Sequence, residues 1–113
     1  MTTANFSASV DGGEVLVRIA GEIDLANAAE VQQRIHAVIT NDAIRVVLDL
    51  AGLDYLDSAG LHVLFTLAER LRLLQIGLDL VVPPGAPVRR VVELSGLAPV
   101  ARVLPEQGQR RSS

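Results

Sequence analysis

The start of the chain carries two runs in which hydrophobic side chains alternate with polar or small ones, as in a β-strand with one buried face. These runs are Phe6, Ala8 and Val10, followed by Val15, Val17 and Ile19. An Asp-Gly-Gly sequence at 11–13 separates them and supplies residues that tight turns favour. The pattern therefore predicts a β-hairpin.

The next segment has the spacing of a helix with one apolar face. Asp24 follows the second strand and is placed to cap this helix. The apolar residues that follow this helical spacing are Leu25, Ala28, Ala29, Ile35, Val38 and Ile39. Asn41 and Asp42 then stop it, because both residue types favour turns over helices.

Helical spacing returns twice further along the chain. A second helix is expected from about Ser58 to Leu74, closed by Gly77. Its predicted core positions are Leu61, Leu64, Phe65, Ala68 and Leu71. A short third helix is expected over Val88–Leu94, where Ser95 and Gly96 end it.

Two apolar runs between these helices are typical of covered strands. The run from Ile44 to Leu50 predicts a central strand, and Leu78–Val82 predicts a further one. Residues 51–57 and 83–87 are expected to be loops, and residues 100–104 a last turn. This order contains two strand-helix-strand crossovers of the usual right hand. The predicted fold class is therefore α/β, with a mixed sheet of about four strands and helices packed mainly on one face.

The other face of the sheet is expected to be more polar. Strand parity places four charged residues there: Arg18, Arg45, Asp49 and Asp79. The loops that follow the parallel strands, at 21–24, 51–58 and 83–87, should meet at one edge of the sheet, where functional residues of such folds gather.

Composition narrows the classes of protein that the chain can belong to. Its 113 residues, half of them apolar, fit a single domain over 1–113, with a flexible tail from about Pro105. The absence of cysteine excludes disulfides and thiolate metal sites, and two isolated histidines give no metal-ligand spacing. No apolar run approaches the roughly 18 residues of a membrane helix, and no signal-peptide pattern is present. We therefore expect a cytoplasmic protein without direct membrane insertion.

The charge pattern argues against nucleic acid and nucleotide chemistry. The net charge is -3, the ten basic residues are scattered arginines, and aromatic residues make up only 3% of the chain. Such a surface offers neither a phosphate-tracking stripe nor a base-stacking platform. Without lysine, the chain cannot form a P-loop. We expect no nucleic-acid partner, no metal and no cofactor.

The start of the second helix is the most informative stretch, and its serine has two interpretations. In the first, Asp57 or Ser58 caps backbone N–H groups and Gly60 permits close packing, a structural role worth about 1 kcal/mol. In the second, the Ser58 hydroxyl accepts a phosphoryl group, because the N–H groups and dipole of a helix start accommodate the added negative charge.

Several short sequences together resemble one known family. They are Gly21-Glu22-Ile23-Asp24, Leu48-Asp49-Leu50, Leu56-Asp57-Ser58-Ala59-Gly60-Leu61 and Ser95-Gly96-Leu97. In this order and spacing, from about residue 6 to residue 104, the chain resembles the STAS domain of bacterial anti-anti-sigma factors, which are antagonists of anti-sigma factors. Ala59 stands where many members have a second serine or another small residue, so Ser58 is the one hydroxyl of the motif.

The resemblance implies a partner-switching regulator of transcription that is not an enzyme. The unphosphorylated antagonist binds an anti-sigma factor that is also an ATP-binding serine kinase, and a sigma factor is thereby released. Phosphorylation of the serine, carried onto Ser58, ends the binding, and a serine phosphatase resets the switch. The implied contact surface comprises these residues: Asp24, Asp57, Ser58, Ala59, Gly60 and His62.

Two other functions are compatible with the same residues: a constitutive adaptor and an enzyme. STAS domains also serve as constitutive adaptors in stress-signalling or membrane-transport complexes, where no phosphorylation is needed. As an enzyme, the chain would need Ser58 and His62 as nucleophile and base with Asp24 as a third member. We do not favour this, since Leu56 stands where a nucleophile elbow has glycine.

Overall fold

The computed structural model describes residues 3–97 and 101–106. These residues form six strands and three helices in an α/β arrangement. In chain order they are β1 (Ala4–Asp11), β2 (Glu14–Ile23), α1 (Ala28–Val38), β3 (Arg45–Asp49), β4 (Leu53–Leu56), α2 (Ser58–Leu73), β5 (Gly77–Val81), α3 (Arg89–Leu94) and β6 (Arg102–Leu104).

The six strands join in one mixed sheet in the order β1-β2-β3-β5-β6, with β4 paired to β2. The β1–β2 pair is the predicted hairpin and is antiparallel, whereas the other pairs are parallel. Because β2 is ten residues long, β3 pairs with its start and β4 with its end at residues 21–23. The sheet therefore confirms the predicted mixed α/β fold.

Two short strands are additional to the predicted four. The strand β4 lies within the segment predicted to be a loop, and β6 occupies most of the segment predicted to be a last turn. Both are too short to show a period of their own. Each forms because a longer neighbour, β2 or β5, offers it a free row of backbone hydrogen-bonding groups.

The helix ends differ from the prediction at two places. The first helix begins at Ala28 rather than after Asp24, because residues 24–27 form a turn stabilised by their own hydrogen bonds. The second helix ends through Gln75, which adopts a left-handed conformation with φ of 59°. Gly77 begins β5 instead, where a Cβ atom would lie 2.8 Å from the guanidinium of Arg45.

The main core lies between the helices and one face of the sheet. Helices α1 and α2 contact each other, and they pack on β2, β4 and β5. The strands contribute fully buried residues such as Val46, Leu48 and Leu80. Two predicted core positions of α2 are less buried than expected: Leu61 is half-buried and Phe65 is 37% exposed. The inner face of α2 turns slightly toward Val63 and Leu67, which are buried instead.

The opposite face of the sheet carries the predicted charged residues. Arg18 Nε lies 3.5 Å from Asp49 Oδ2. Asp79 is fully buried, and its carboxylate accepts hydrogen bonds from Arg45 and Arg102 at 2.9–3.0 Å. The bond to Asp79 raises the pKa of Arg102 above its ordinary value. A buried carboxylate is tolerated here because two guanidinium groups neutralise it and fill its hydrogen-bonding positions.

Two predictions concern the ends of the chain and membranes. Most of the tail predicted to be flexible, residues 107–113, lies outside the described residues. In the parts of the chain that the structure describes, no helix has the length and apolar character needed to cross a membrane.

Candidate functional site

Asp57 holds together the two loops at the carboxyl ends of β2 and β4. Its Oδ1 accepts a hydrogen bond from Gly60 N at 3.0 Å, which caps α2. Its Oδ2 accepts from Leu25 N at 3.2 Å, on the loop that precedes α1. The backbone N of Asp57 also donates to Ile23 O at 3.3 Å. One carboxylate therefore fixes the starts of both helices relative to each other.

The loop before α1 is held by a compact set of hydrogen bonds. Asp24 Oδ1 accepts from Ala26 N at 2.8 Å, and Asn27 Oδ1 accepts from Asp24 N at 3.0 Å. Asn27 Nδ2 donates to Glu22 O at 2.9 Å. Asp24 is thus a turn residue rather than the side-chain cap predicted for α1, and the loop it belongs to touches the Ser58 side of the molecule through Leu25.

Ser58 is the first residue of α2, and its side chain faces solvent. The cap comes from Asp57, so the structure assigns the capping role left open by the sequence to the aspartate. Among the described residues, the Ser58 hydroxyl makes no hydrogen bond. It is an exposed hydroxyl at a helix start, where backbone N–H groups and the helix dipole favour an added negative charge.

Gly60 is buried, and its small size is required by packing. A Cβ atom at this position would lie 2.4 Å from Leu56 Cδ1 and 3.1 Å from the backbone oxygen of Ile23. The first turn of α2 therefore sits directly against the ends of β2 and β4. Gly60 shapes the predicted contact surface through this close approach rather than by presenting a side chain.

The exposed face of α2 continues the surface that Ser58 begins. His62 and Phe65 follow at helical spacing on the same face, and His62 is exposed. Ala59 is half-buried beside Ser58. Further along the helix, Glu69 accepts a hydrogen bond from Arg72, which lowers the pKa of the Glu69 carboxyl group.

Sequence reasoning missed two apolar side chains around this site. Leu25, assigned to the apolar face of the predicted first helix, is 82% exposed, and Tyr55 on β4 is 51% exposed. The exposure of Leu25 does not follow from the sequence pattern, because that pattern places Leu25 inside the helix, whereas α1 begins three residues later, at Ala28. Tyr55 was assigned to a loop and therefore had no expected direction. We call Asp24, Leu25, Ser58 and His62 the docking edge.

Among the described residues, no hydrogen bond joins Ser58 to His62. The described residues also contain no group of three or more side chains able to hold a metal ion. A hydrogen bond joins the loop at 24–27 to Asp57, but among the described residues no hydrogen bond joins the loop at 83–87 to either of them.

The chain is similar in sequence to several known proteins. The sequence pattern of the STAS domain matches residues 5–107. Over 85 residues the chain is 39% identical to BtrV of Bordetella bronchiseptica, covering 74% of this chain and 72% of that protein. It is 34% identical over 86 residues to the anti-sigma-F factor antagonist RsfB of Mycobacterium tuberculosis, covering 75% of this chain and 68% of that protein.

A solved structure extends the likeness to the whole fold. The crystal structure of an anti-sigma factor antagonist from Mycobacterium paratuberculosis superimposes with a TM-score of 0.84 at 28% identity, covering 95% of this chain and 90% of that chain. The family pattern spans most of the sequence, and the TM-score shows that the two proteins share one fold. The chain therefore belongs to the STAS domain family.

Proposed function

We propose that this chain is an anti-sigma factor antagonist that works by partner switching and is not an enzyme. In its unphosphorylated form it binds an anti-sigma factor that is also an ATP-dependent serine kinase, and the sigma factor is released. Phosphorylation of Ser58 by that kinase ends the binding, and a serine phosphatase restores it. RsfB and the Mycobacterium paratuberculosis protein, which carry the name of antagonists, support this assignment.

The observation that carries the proposal is that Asp57 and Ser58 have different roles at the start of α2. Asp57 caps the helix and Ser58 is left exposed with no hydrogen bond among the described residues. A serine needed for capping could not be phosphorylated without loss of the cap. Here the hydroxyl can be modified while the helix start keeps its stabilising contacts.

The surroundings of Ser58 explain how one phosphate could change binding. A phosphoserine carries a charge of about -1.5 to -2 at neutral pH. It would lie next to Asp57 and on the same edge as the loop of Asp24, which Asp57 contacts through Leu25 N. The helix start accommodates the charge within this chain. In a complex, the phosphate would repel an acidic partner surface, and its bulk would clash with a tightly packed one.

The docking edge also has the composition of a protein interface. Leu25 is an exposed apolar side chain, and the exposed Phe65 lies on the same face of α2 as Ser58 and His62. Aromatic residues are enriched in protein interfaces, where they supply buried contact area. Ser58 directly follows Asp57, which accepts a hydrogen bond from Leu25 N, and it precedes His62 and Phe65 on the exposed face of α2. A phosphate on Ser58 would therefore fall inside the proposed contact surface.

The first test is phosphorylation. The protein is incubated with Mg-ATP and each candidate anti-sigma factor kinase, and intact mass followed by peptide mapping locates any phosphate. We expect one phosphate on Ser58 and none on Ser58→Ala. A matched control is Ser9→Ala, which removes another exposed serine, on β1, and should be phosphorylated normally.

The second test is binding to the same kinase. Unmodified protein and Ser58→Ala should bind, whereas Ser58→Asp should bind at least about tenfold more weakly while keeping an unchanged circular dichroism spectrum. Stable binding of a different partner by all three proteins, without phosphorylation by any kinase, would contradict the switch. That result would instead identify a constitutive STAS adaptor.

A further inference from the structure

The strand β1 is a long edge of the sheet without the usual protection. Within the part of the chain that the structure describes, its eight residues pair with β2 alone, in a continuous register without a bulge. The strand contains no proline, lysine or arginine, and its one charged residue is Asp11 at the end. Natural proteins normally block an open edge with a charge, a proline, a bulge or a very short strand. None of these devices is present along β1.

The opposite edge of the sheet, formed by β6, is protected against further pairing. The strand β6 has only three residues and is followed at once by Pro105. A short strand next to a proline offers little backbone for another chain to pair with. The two edges therefore differ in kind: one is closed to further pairing and the other is open.

The register fixes which backbone groups of β1 face outward. Thr3 O accepts a hydrogen bond from Glu22 N, so the backbone groups of Thr3 face β2. The backbone groups of every second residue after it face β2 as well: Asn5, Ser7, Ser9 and Asp11. In an antiparallel pair, hydrogen-bonded and non-hydrogen-bonded residues alternate. The N–H and C=O groups of the alternate residues, Ala4, Phe6, Ala8 and Val10, therefore point away from β2.

We propose that a second copy of this chain pairs with β1 across a two-fold axis at Ser7. The two β1 strands would run antiparallel, with Phe6 opposite Ala8 of the other copy and Ala4 opposite Val10. This register uses every outward-facing group and forms roughly eight backbone hydrogen bonds. The two sheets become one continuous sheet, and both open edges disappear.

The side chains of β1 suit this self-pairing on both faces. On the helix side, Val10 is 51% exposed and would lie opposite Ala4, beside a hollow of about 160 Å³ lined in part by Ala4, Phe6 and Val31. On the other side, the opposed residues are small and uncharged: Ser7 faces Ser7, and Asn5 faces Ser9. The two copies of Asp11 lie at opposite ends of the pair, so no like charges meet.

The pairing does not depend on the proposed function. No residue of the docking edge lies on β1, so loss of the dimer and loss of kinase binding would be separate results. Strand pairing alone buries less surface than a standard protein interface. We therefore expect a weak dimer whose population rises with protein concentration.

The test is sedimentation equilibrium of the full chain over a wide concentration range. The unmodified chain should show a monomer–dimer equilibrium. Ser7→Lys and Ser7→Glu each place like charges directly opposite one another at the axis, and each should weaken self-association about fivefold or more. An equal mixture of the two variants should restore it by forming Lys–Glu pairs. Gln33→Lys, an exposed change on α1, is the matched charge control and should leave the dimer unchanged.

A second variant tests the backbone pairing directly. Ala8→Pro removes an outward N–H group without removing a hydrogen bond to β2, and it should abolish the dimer. Circular dichroism and thermal melting establish that each variant is folded. A chain that stays monomeric at all concentrations, or a dimer that neither Ser7 variant weakens, would overturn the proposal.

Discussion

Two adjacent residues at the start of α2 perform different tasks. Asp57 accepts hydrogen bonds from Gly60 N and Leu25 N, whereas Ser58 exposes its hydroxyl to solvent. A capping aspartate contributes typically about 1 kcal/mol to stability. An exposed hydroxyl without a partner contributes little. The structural and the proposed regulatory roles are therefore separated onto two side chains.

This separation predicts different effects of two alanine substitutions. Asp57→Ala should lower the free energy of unfolding by about 1–2 kcal/mol, because it removes the cap and the bond to the loop before α1. Ser58→Ala should change it by less than about 0.5 kcal/mol. Urea unfolding of the two variants measures both values. A loss of stability in Ser58→Ala equal to that in Asp57→Ala would show that Ser58 shares the capping role.

At the scale of elements, the site depends on how closely α2 approaches the strand ends. Gly60 lies against Leu56 and the backbone oxygen of Ile23, so the first turn of the helix is held directly on β2 and β4. This approach positions Ser58 beside the loop that follows β2. A larger residue at 60 would push the helix start outward or distort the strand ends.

We therefore expect Gly60→Ala to be destabilising although alanine favours helices. Crowding against Leu56 and Ile23 should cost about 1–3 kcal/mol, more than the gain of up to about 1 kcal/mol in helix propensity. Gly85→Ala is the matched control, since no atom lies within 4 Å of the added Cβ, and it should be close to neutral. Thermal and urea unfolding compare the two variants. Equal stability of both would show that the helix start can move away at no cost.

At the scale of the whole molecule, the far ends of α1 and α2 enclose a second polar feature. His36, Arg70, Thr40 and Asn41 line a cavity of about 180 Å³ together with apolar side chains. His36 Nε2 is buried and has no hydrogen-bond partner among the described residues. Burial, assisted by the nearby charge of Arg70, lowers the pKa of His36 below its ordinary value.

This lowered pKa predicts that the free energy of unfolding decreases as the pH falls. Because the pKa of His36 is lower in the folded chain, the unfolded chain binds more protons once the pH falls below about 6.5. The free energy of unfolding should therefore be fully retained above that pH and decrease as the pH falls from there toward the folded pKa. His36→Gln should flatten this part of the profile, whereas His62→Gln, which leaves His36 in place, should keep it. Urea unfolding at a series of pH values from 5 to 8 measures the slope, and an unchanged slope in His36→Gln would contradict the assignment.

Most of the fold was predictable from local pattern. The alternation in β1 and β2, the apolar run of β3 and the helical spacing of α2 all arise from one buried face per element, and burial leaves a period in the sequence. The charged residues opposite the helices were predictable by the same parity. The exposed serine after an aspartate was also visible, because helix starts use a small set of residue types.

The sequence by itself determined which segments become the long strands and helices, and that Ser58 begins a helix, since these depend on neighbouring residues. Tertiary structure alone decided the short strands β4 and β6, the late start of α1 and the burial of Asp79 between Arg45 and Arg102. It also decided that Asp57, rather than Ser58, provides the cap. Each of these features depends on a hydrogen-bond partner or a packing surface distant in the chain, and no local period records such a partner.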